Sequence, residues 1–184
     1  MSIRSTTNAW GVLARVFHWG MLVLYAGLIG VGYYMSDLPM SAAKMKIYAL
    51  HKSVGVLMLL LVVLRVLWRW MDRRPSITPT AAWQQRIATV VVGGLYLLMF
   101  ALPLTGWAYN SAAGFPLRWF NVYNLPALME ASPTLKVWMK EAHESGAVIF
   151  MAVIGLHALA ALKHHFIDRD QTLMQMLPGR RGDR

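Results

Sequence analysis

The chain has 184 residues, 57% hydrophobic and 14% charged, with a formal net charge of +10 and no cysteine. The absence of thiols excludes disulfides and thiolate-held iron–sulfur clusters. Its apolar residues are gathered in four runs, Val16–Met35, Ile47–Trp68, Ile87–Tyr109 and Gly146–Leu162. Each is close to or above the roughly 20 residues that span hydrocarbon, which leaves little chain for a soluble domain.

The expected class is therefore an all-α membrane protein, a four-helix transmembrane bundle with residues 1–184 as one domain. The opening MSIRSTTNAWGVLAR has no short apolar core followed by a small-residue cleavage site, so the first run is expected to be a retained anchor. A basic chain also raises nucleic acid as a partner, but topology accounts for the charge and no nucleic-acid partner is expected. Twelve Lys and Arg (Arg4, Arg15, Arg65, Arg69, Arg73, Arg74, Arg86, Lys163, Arg169, Arg180, Arg181, Arg184) fall on the N-terminus, the second connection and the C-terminus. Six (Lys44, Lys46, Lys52, Arg118, Lys136, Lys140) fall on the first and third connections. The positive-inside rule then places both termini in the cytoplasm.

In chain order, helix 1 is expected over about 8–35, starting after Thr7 or Asn8, both good caps. His18 stands about ten residues inside that start, and Gly27, Gly30 and Gly32 offer close approach to a helix or a flat group. Helix 2, about 41–71 with Ser41 as cap, carries His51, with Gly55 one turn on. It ends in LRVLWRWMDRRP, an arginine and tryptophan belt of the interfacial kind, and Pro75 and Pro79 break it. Helix 3, about 83–109, has no histidine and reads as a structural wall whose outer end Pro103 and Gly106 kink or close. The third connection is the longest, and FPLRWF within it is expected to lie flat in the interface. Helix 4, about 133–167, opens on the cap pair Ser132-Pro133 and carries His143 and His157. The tail QTLMQMLPGRRGDR is expected to end loosely.

His143 and His157 are fourteen residues apart. On a helix that is a rise of about 21 Å and a rotation only about 40° short of four turns, so both imidazoles project from one face. Helix direction sorts the four histidines by depth: His18 with His157 on the cytoplasmic side, His51 with His143 on the outer side. Each pair joins two helices at one height, as bis-histidine haem requires, and without cysteine a haem must be held by axial side chains. A lone histidine in a span packs or relays protons about as often as it ligates, but four in height-matched pairs disfavour independent packing roles. A zinc or copper site would want acids or thiolates, and Glu144 is the only acid adjoining one of these histidines. The expected site residues are thus His18 and His157 on an inner haem iron, and His51 and His143 on an outer one. His164, Lys163 and Arg73 are candidates for a quinone headgroup or its protons; a plain basic belt reads the same. The six outer cations suit an anionic substrate, as they suit ordinary solvated helix ends.

ARVFHW, ALHKSVGVLMLLLVVLRVLWRW, ALPLTGW, EAHES and GLHALAALKHHF together resemble the bacterial dihaem cytochrome b561 family, over about Ser5 to Leu177. The resemblance carries His18, His51, His143 and His157 over as haem ligands. It implies two haem b groups, a multi-pass place in the bacterial inner membrane, and electron transfer between a periplasmic reactant and ubiquinone. It also implies a superoxide oxidase activity, with superoxide as donor and ubiquinone as acceptor. The alternative is an electron-conduit subunit linking quinone to a separate dehydrogenase or hydrogenase, and a non-redox transporter is a third class. No catalytic residue beyond the haem ligands is nominated.

Overall fold

The structure is a computed structural model, described here for residues 2–73, 75 and 81–177. Four long helices, α1 (Val12–Asp37), α2 (Ala42–Met71), α3 (Ala82–Ala112) and α4 (Pro133–Phe166), are each long and apolar enough to cross a membrane. A two-stranded antiparallel hairpin, β1 (Leu117–Trp119) with β2 (Tyr123–Leu125), joins α3 to α4, and a short α5 (Thr172–Met176) follows. The protein is a helical membrane protein whose apolar surfaces face outward, as in Val23, Val90, Leu97 and Leu159, because lipid replaces water as their solvent. Arg74, Pro79 and the tail beyond Leu177 lie outside the described residues.

The termini gather at one end of the bundle. Helix α1 begins at Val12, later than its polar residues suggested, because residues 2–11 fold back over its first turn. Val12 N donates to Ser2 O, Gly11 N to Ser5 Oγ, and Ser5 N and Oγ to the Asp72 carboxylate after α2. Thr6 holds Ala9 in a local turn instead of leaving Thr7 or Asn8 to cap the helix. Gly11 is required there: a Cβ would stand 2.3 Å from Ile3 O. The tail is likewise not loose as far as Leu177. Trp19 Nε1 donates to Met176 O and Arg15 Nη1 to Leu177 O, tying α5 to the first turns of α1.

The hairpin closes the opposite end. The stretch 115–120 does not lie flat: Leu117 is buried and Trp119 Nε1 donates to Ser53 O. Its tight turn places Phe120 (φ 46°) and Asn121 (φ 59°) in the left-handed region without a glycine, a conformation disfavoured for phenylalanine. Ser53, 2% exposed, holds it by accepting from Phe120 N through Oγ.

At mid-depth the core is Met21, Tyr25, Met58, Val62, Met99, Leu102 and Phe150. Helix α3 runs on to Ala112 with Pro103 inside it. Pro103 has no N–H, so the Met99 carbonyl four residues earlier loses its helical donor. Tyr25 supplies the replacement: its hydroxyl donates to Met99 O at 2.9 Å, and its ring meets Phe150 at 4.8 Å. We predict that Tyr25→Phe destabilises the bundle by about 1–2 kcal/mol, since the carbonyl is then unsatisfied in an apolar interior. Adding Pro103→Ala restores most of that loss by returning the N–H. Equilibrium unfolding of the two single variants and the double variant in mixed micelles measures the coupling; additive effects would remove the proposed link.

Candidate cofactor sites between the helices

Helix α4 packs closely along α3 but makes few or no close backbone approaches to α1 or α2. Histidines face each other across that separation at two heights. The His18 and His157 ring centroids are 6.2 Å apart with planes at 63°, and those of His51 and His143 are 6.3 Å apart at 85°. Tyr25 and Phe150, each seven residues from a histidine of its own helix, stack between the two levels.

The surroundings of each imidazole differ. His143 Nδ1 donates to Leu102 O at 2.9 Å and lies 3.4 Å from Thr105 Oγ1. That bond puts the proton on Nδ1 and leaves Nε2 as the free electron pair, the usual outer-contact arrangement for a metal-binding histidine. Gly106 permits it: a Cβ there would stand 3.0 Å from His143 Cε1. Helix α3 is therefore more than a wall, although it carries no histidine. Its backbone orients a histidine of α4. His51 Nδ1 is buried without a hydrogen-bond partner, and its Cε1 lies 3.5 Å from where a Gly32 Cβ would stand. His18 lies edge-on to Trp19 at 5.1 Å, and its Nδ1 is 3.3 Å from Arg65 Nη2. Arg65, within the arginine- and tryptophan-rich end of α2, thus stands beside the His18 and His157 pair. The missed signal is spacing: Arg65 follows His51 by fourteen residues, as His157 follows His143.

The residues present fit a bis-histidine metal group of flat shape. An imidazole nitrogen stands about 1.1 Å from its ring centroid and binds a metal at about 2.0 Å, so two imidazoles trans across one metal have centroids about 6 Å apart. Both pairs have that separation, between helices that leave room for a flat group, and one includes a buried imidazole nitrogen without a hydrogen-bond partner. Beside Gly55, where clearance was expected, no atom lies within 4 Å of a would-be Cβ. Among the described residues, the group of three metal-type donors is elsewhere, at His164, Asp168 and Asp170, with ligand atoms within 4.8 Å. A bare ion with acid ligands is not what the intramembrane pairs resemble.

The remaining candidates are placed as follows. His164 Nδ1 lies 2.7 Å from Asp170 Oδ2 and 3.1 Å from Asp168 Oδ2, and Lys163 pairs with Asp168 at 2.7 Å. Burial pushes the Asp170 carboxyl up, but hydrogen bonds from Thr172 and the His164 ring outweigh it and hold the group below its ordinary value. Arg73 is exposed at the end of α2, and no bond among the described residues joins it to Lys163 or His164. At the hairpin end, Lys52 Nζ donates to Asn110 Oδ1 at 3.0 Å, Lys44 caps the carbonyls of Ser36 and Leu38, and Lys140 pairs with Glu144 at 3.6 Å. Lys46, Arg118 and Lys136 are exposed.

Comparison with known proteins identifies the family. Residues 9–179 match the family described as prokaryotic cytochrome b561. Cytochrome b561 homolog 2 of Escherichia coli (strain K12) is 32% identical over 96% of this chain and 95% of its own length. Cytochrome b561 homolog 1 of the same organism is 34% identical over 71% of this chain and 74% of its own. A Yersinia pestis protein named "Probable superoxide oxidase CybB" is 35% identical over 72% of this chain and 76% of its own. The chain therefore belongs to the prokaryotic cytochrome b561 family, membrane electron-transfer proteins that bind haem b.

Proposed function

We propose that the protein is a dihaem superoxide:ubiquinone oxidoreductase, in which His18 and His157 would hold one haem b and His51 and His143 the other. The observation that carries this reading is the pair of facing imidazoles at each of two heights, between helices that otherwise stay apart. Haem b, when bound, supplies one-electron exchange at iron. The protein's own part is to hold four imidazoles, exclude water from the apolar interior and bring charged reactants to the two ends.

The stoichiometry has two superoxide anions each giving up one electron and leaving as dioxygen. One ubiquinone takes the two electrons and two protons and leaves as ubiquinol. On this reading the hairpin end faces the periplasm and the termini lie in the cytoplasm, in a bacterial inner membrane. Lys52, Lys46, Arg118 and Lys136 then give the outer end a positive potential that attracts an anion and whose effect falls with added salt. Asn110 anchors Lys52 without neutralising it, since its partner is an amide oxygen. At the terminal end, His164 with Lys163 and Arg73 is the proposed quinone boundary. His164, held between the carboxylates of Asp168 and Asp170, is the proposed relay for the quinone's protons. The superoxide part of the reading is supported by the name of the Yersinia pestis relative.

Stopped-flow mixing of the purified protein with superoxide is expected to reduce its haems, and a ubiquinone analogue added next is expected to reoxidise them. Haems that stay oxidised under superoxide would favour a conduit that receives electrons from a separate subunit. We also expect His51→Ala and His143→Ala each to remove the same haem, taking the content from two per chain to one, and His18→Ala and His157→Ala to remove the other. Loss of one and the same haem from His18→Ala and His51→Ala would refute the pairing. Gly106→Ala, which puts a methyl 3.0 Å from His143 Cε1, is expected to tilt that imidazole and perturb or deplete the haem of His51 and His143 alone. Separate optical spectra of the two haems read the effect.

A further inference from the structure

Arg65 is a fixed cation inside a membrane helix, and its contacts do not balance its charge. Nη2 lies 3.3 Å from His18 Nδ1 and Nη1 lies 3.9 Å from Met21 Sδ, an imidazole nitrogen and a thioether. Both are weak, uncharged acceptors. The guanidinium groups of Arg65 and Arg69 each lie 5.6 Å from the Tyr96 ring, so two cations share one aromatic ring. A guanidinium cannot shed its proton, and one held in hydrocarbon is costly unless it meets an anion or water.

The described acids at this end are already engaged. Asp72 accepts from Ser5, Asp168 pairs with Lys163, and Asp170 takes His164 and Thr172. Among the described residues no carboxylate hydrogen-bonds or ion-pairs with Arg65 or Arg69. Arg15, one turn before His18 and 8% exposed, adds a further guanidinium with an enclosed, unpartnered Nε. The His18 and His157 pair is thus bordered by cations whose counter-charge the described residues do not provide.

We propose that Arg65, with Arg69 beside it, seats a propionate carboxylate of the haem held by His18 and His157. The inference rests on the haem reading above and adds a residue-level recognition site to it. The His18 contact makes the exchange natural. An imidazole bound to metal through Nε2 carries its proton on Nδ1, where it cannot accept from Arg65. The guanidinium then needs a new acceptor, and a carboxylate takes its parallel N–H groups as a bidentate pair.

The test uses full-length protein in lipid, with Arg65→Gln and Arg65→Lys compared with the natural chain. Haem per chain and the midpoint potential of each haem are measured, the two haems being assigned from His18→Ala and His51→Ala. Arg65→Gln is expected to lower the potential of the His18 haem alone, cutting its reduced-to-oxidised ratio at the original midpoint about tenfold, while Arg65→Lys retains most of it. Haem labelled with carbon-13 at the propionate carboxylates is expected to show its labelled infrared redox-difference band moved in Arg65→Gln. If Arg65→Gln loses the haem outright, its retention in Arg65→Lys with a moved band supports the contact, and loss from both variants overturns it. An unmoved potential, equal shifts of both haems, or a shifted potential with an unmoved labelled band also overturns it. A chain without haem, or with pairings other than those proposed, defeats the underlying reading instead.

Discussion

The separation of α4 from α1 and α2, bridged by facing imidazoles at two heights, is the feature on which the rest of the bundle turns. Helices in a membrane gain little from hiding apolar surface, because lipid already solvates it, so close packing needs small residues or internal bonds. Here α4 takes its close contact from α3 and leaves its histidine-bearing face to meet two different helices across space. One helix thereby contributes half of each site. The aromatic pair Tyr25 and Phe150 fills the interval between the levels and keeps the two sites distinct.

Helix α3 shows how a segment with no ligand of its own governs the sites. Pro103 and Gly106 look like helix breakers, yet the helix continues past both to Ala112. The proline frees a carbonyl that Tyr25 occupies, and the glycine admits the His143 ring to the Leu102 carbonyl. A backbone carbonyl in hydrocarbon must be satisfied inside the protein, so the freed Met99 carbonyl takes a side chain of α1, while the Leu102 carbonyl accepts one of α4 as an additional donor. The same economy operates at the hairpin, where buried Ser53, two residues from His51, holds a strained turn over that end of the bundle.

Charge divides the two ends in another way. At the terminal end each described acid is tied to a neighbour, and the guanidinium groups near His18 are left with uncharged acceptors. At the hairpin end Lys52 points to an amide oxygen rather than a carboxylate. Uncompensated cations beside apolar sites favour negative partners at both ends, because a low dielectric strengthens the attraction for any anion that arrives.

How much of this was legible in the chain follows from the range of each interaction. Four apolar runs, the caps at Ser41 and Ser132, and the fourteen-residue repeat of histidine on α4 are local, and local rules of length and rotation were enough to read a four-helix membrane bundle and to nominate His18, His51, His143 and His157. The start of α1 at Val12, the docking of α5, the glycine-free turn at Phe120 and the Leu102 anchor of His143 were not legible, because each rests on a few hydrogen bonds between residues distant in sequence. Arg65 stood between the two cases: its spacing from His51 was present in the sequence, but its arginine- and tryptophan-rich context masked it. By itself the sequence determined the spans, their order and the height of each histidine, since those depend on rise and rotation along one helix. Only the tertiary structure decided which backbone carbonyls receive side chains and which cations lack an acid among the described residues, because both depend on what the neighbouring helix presents at the same depth.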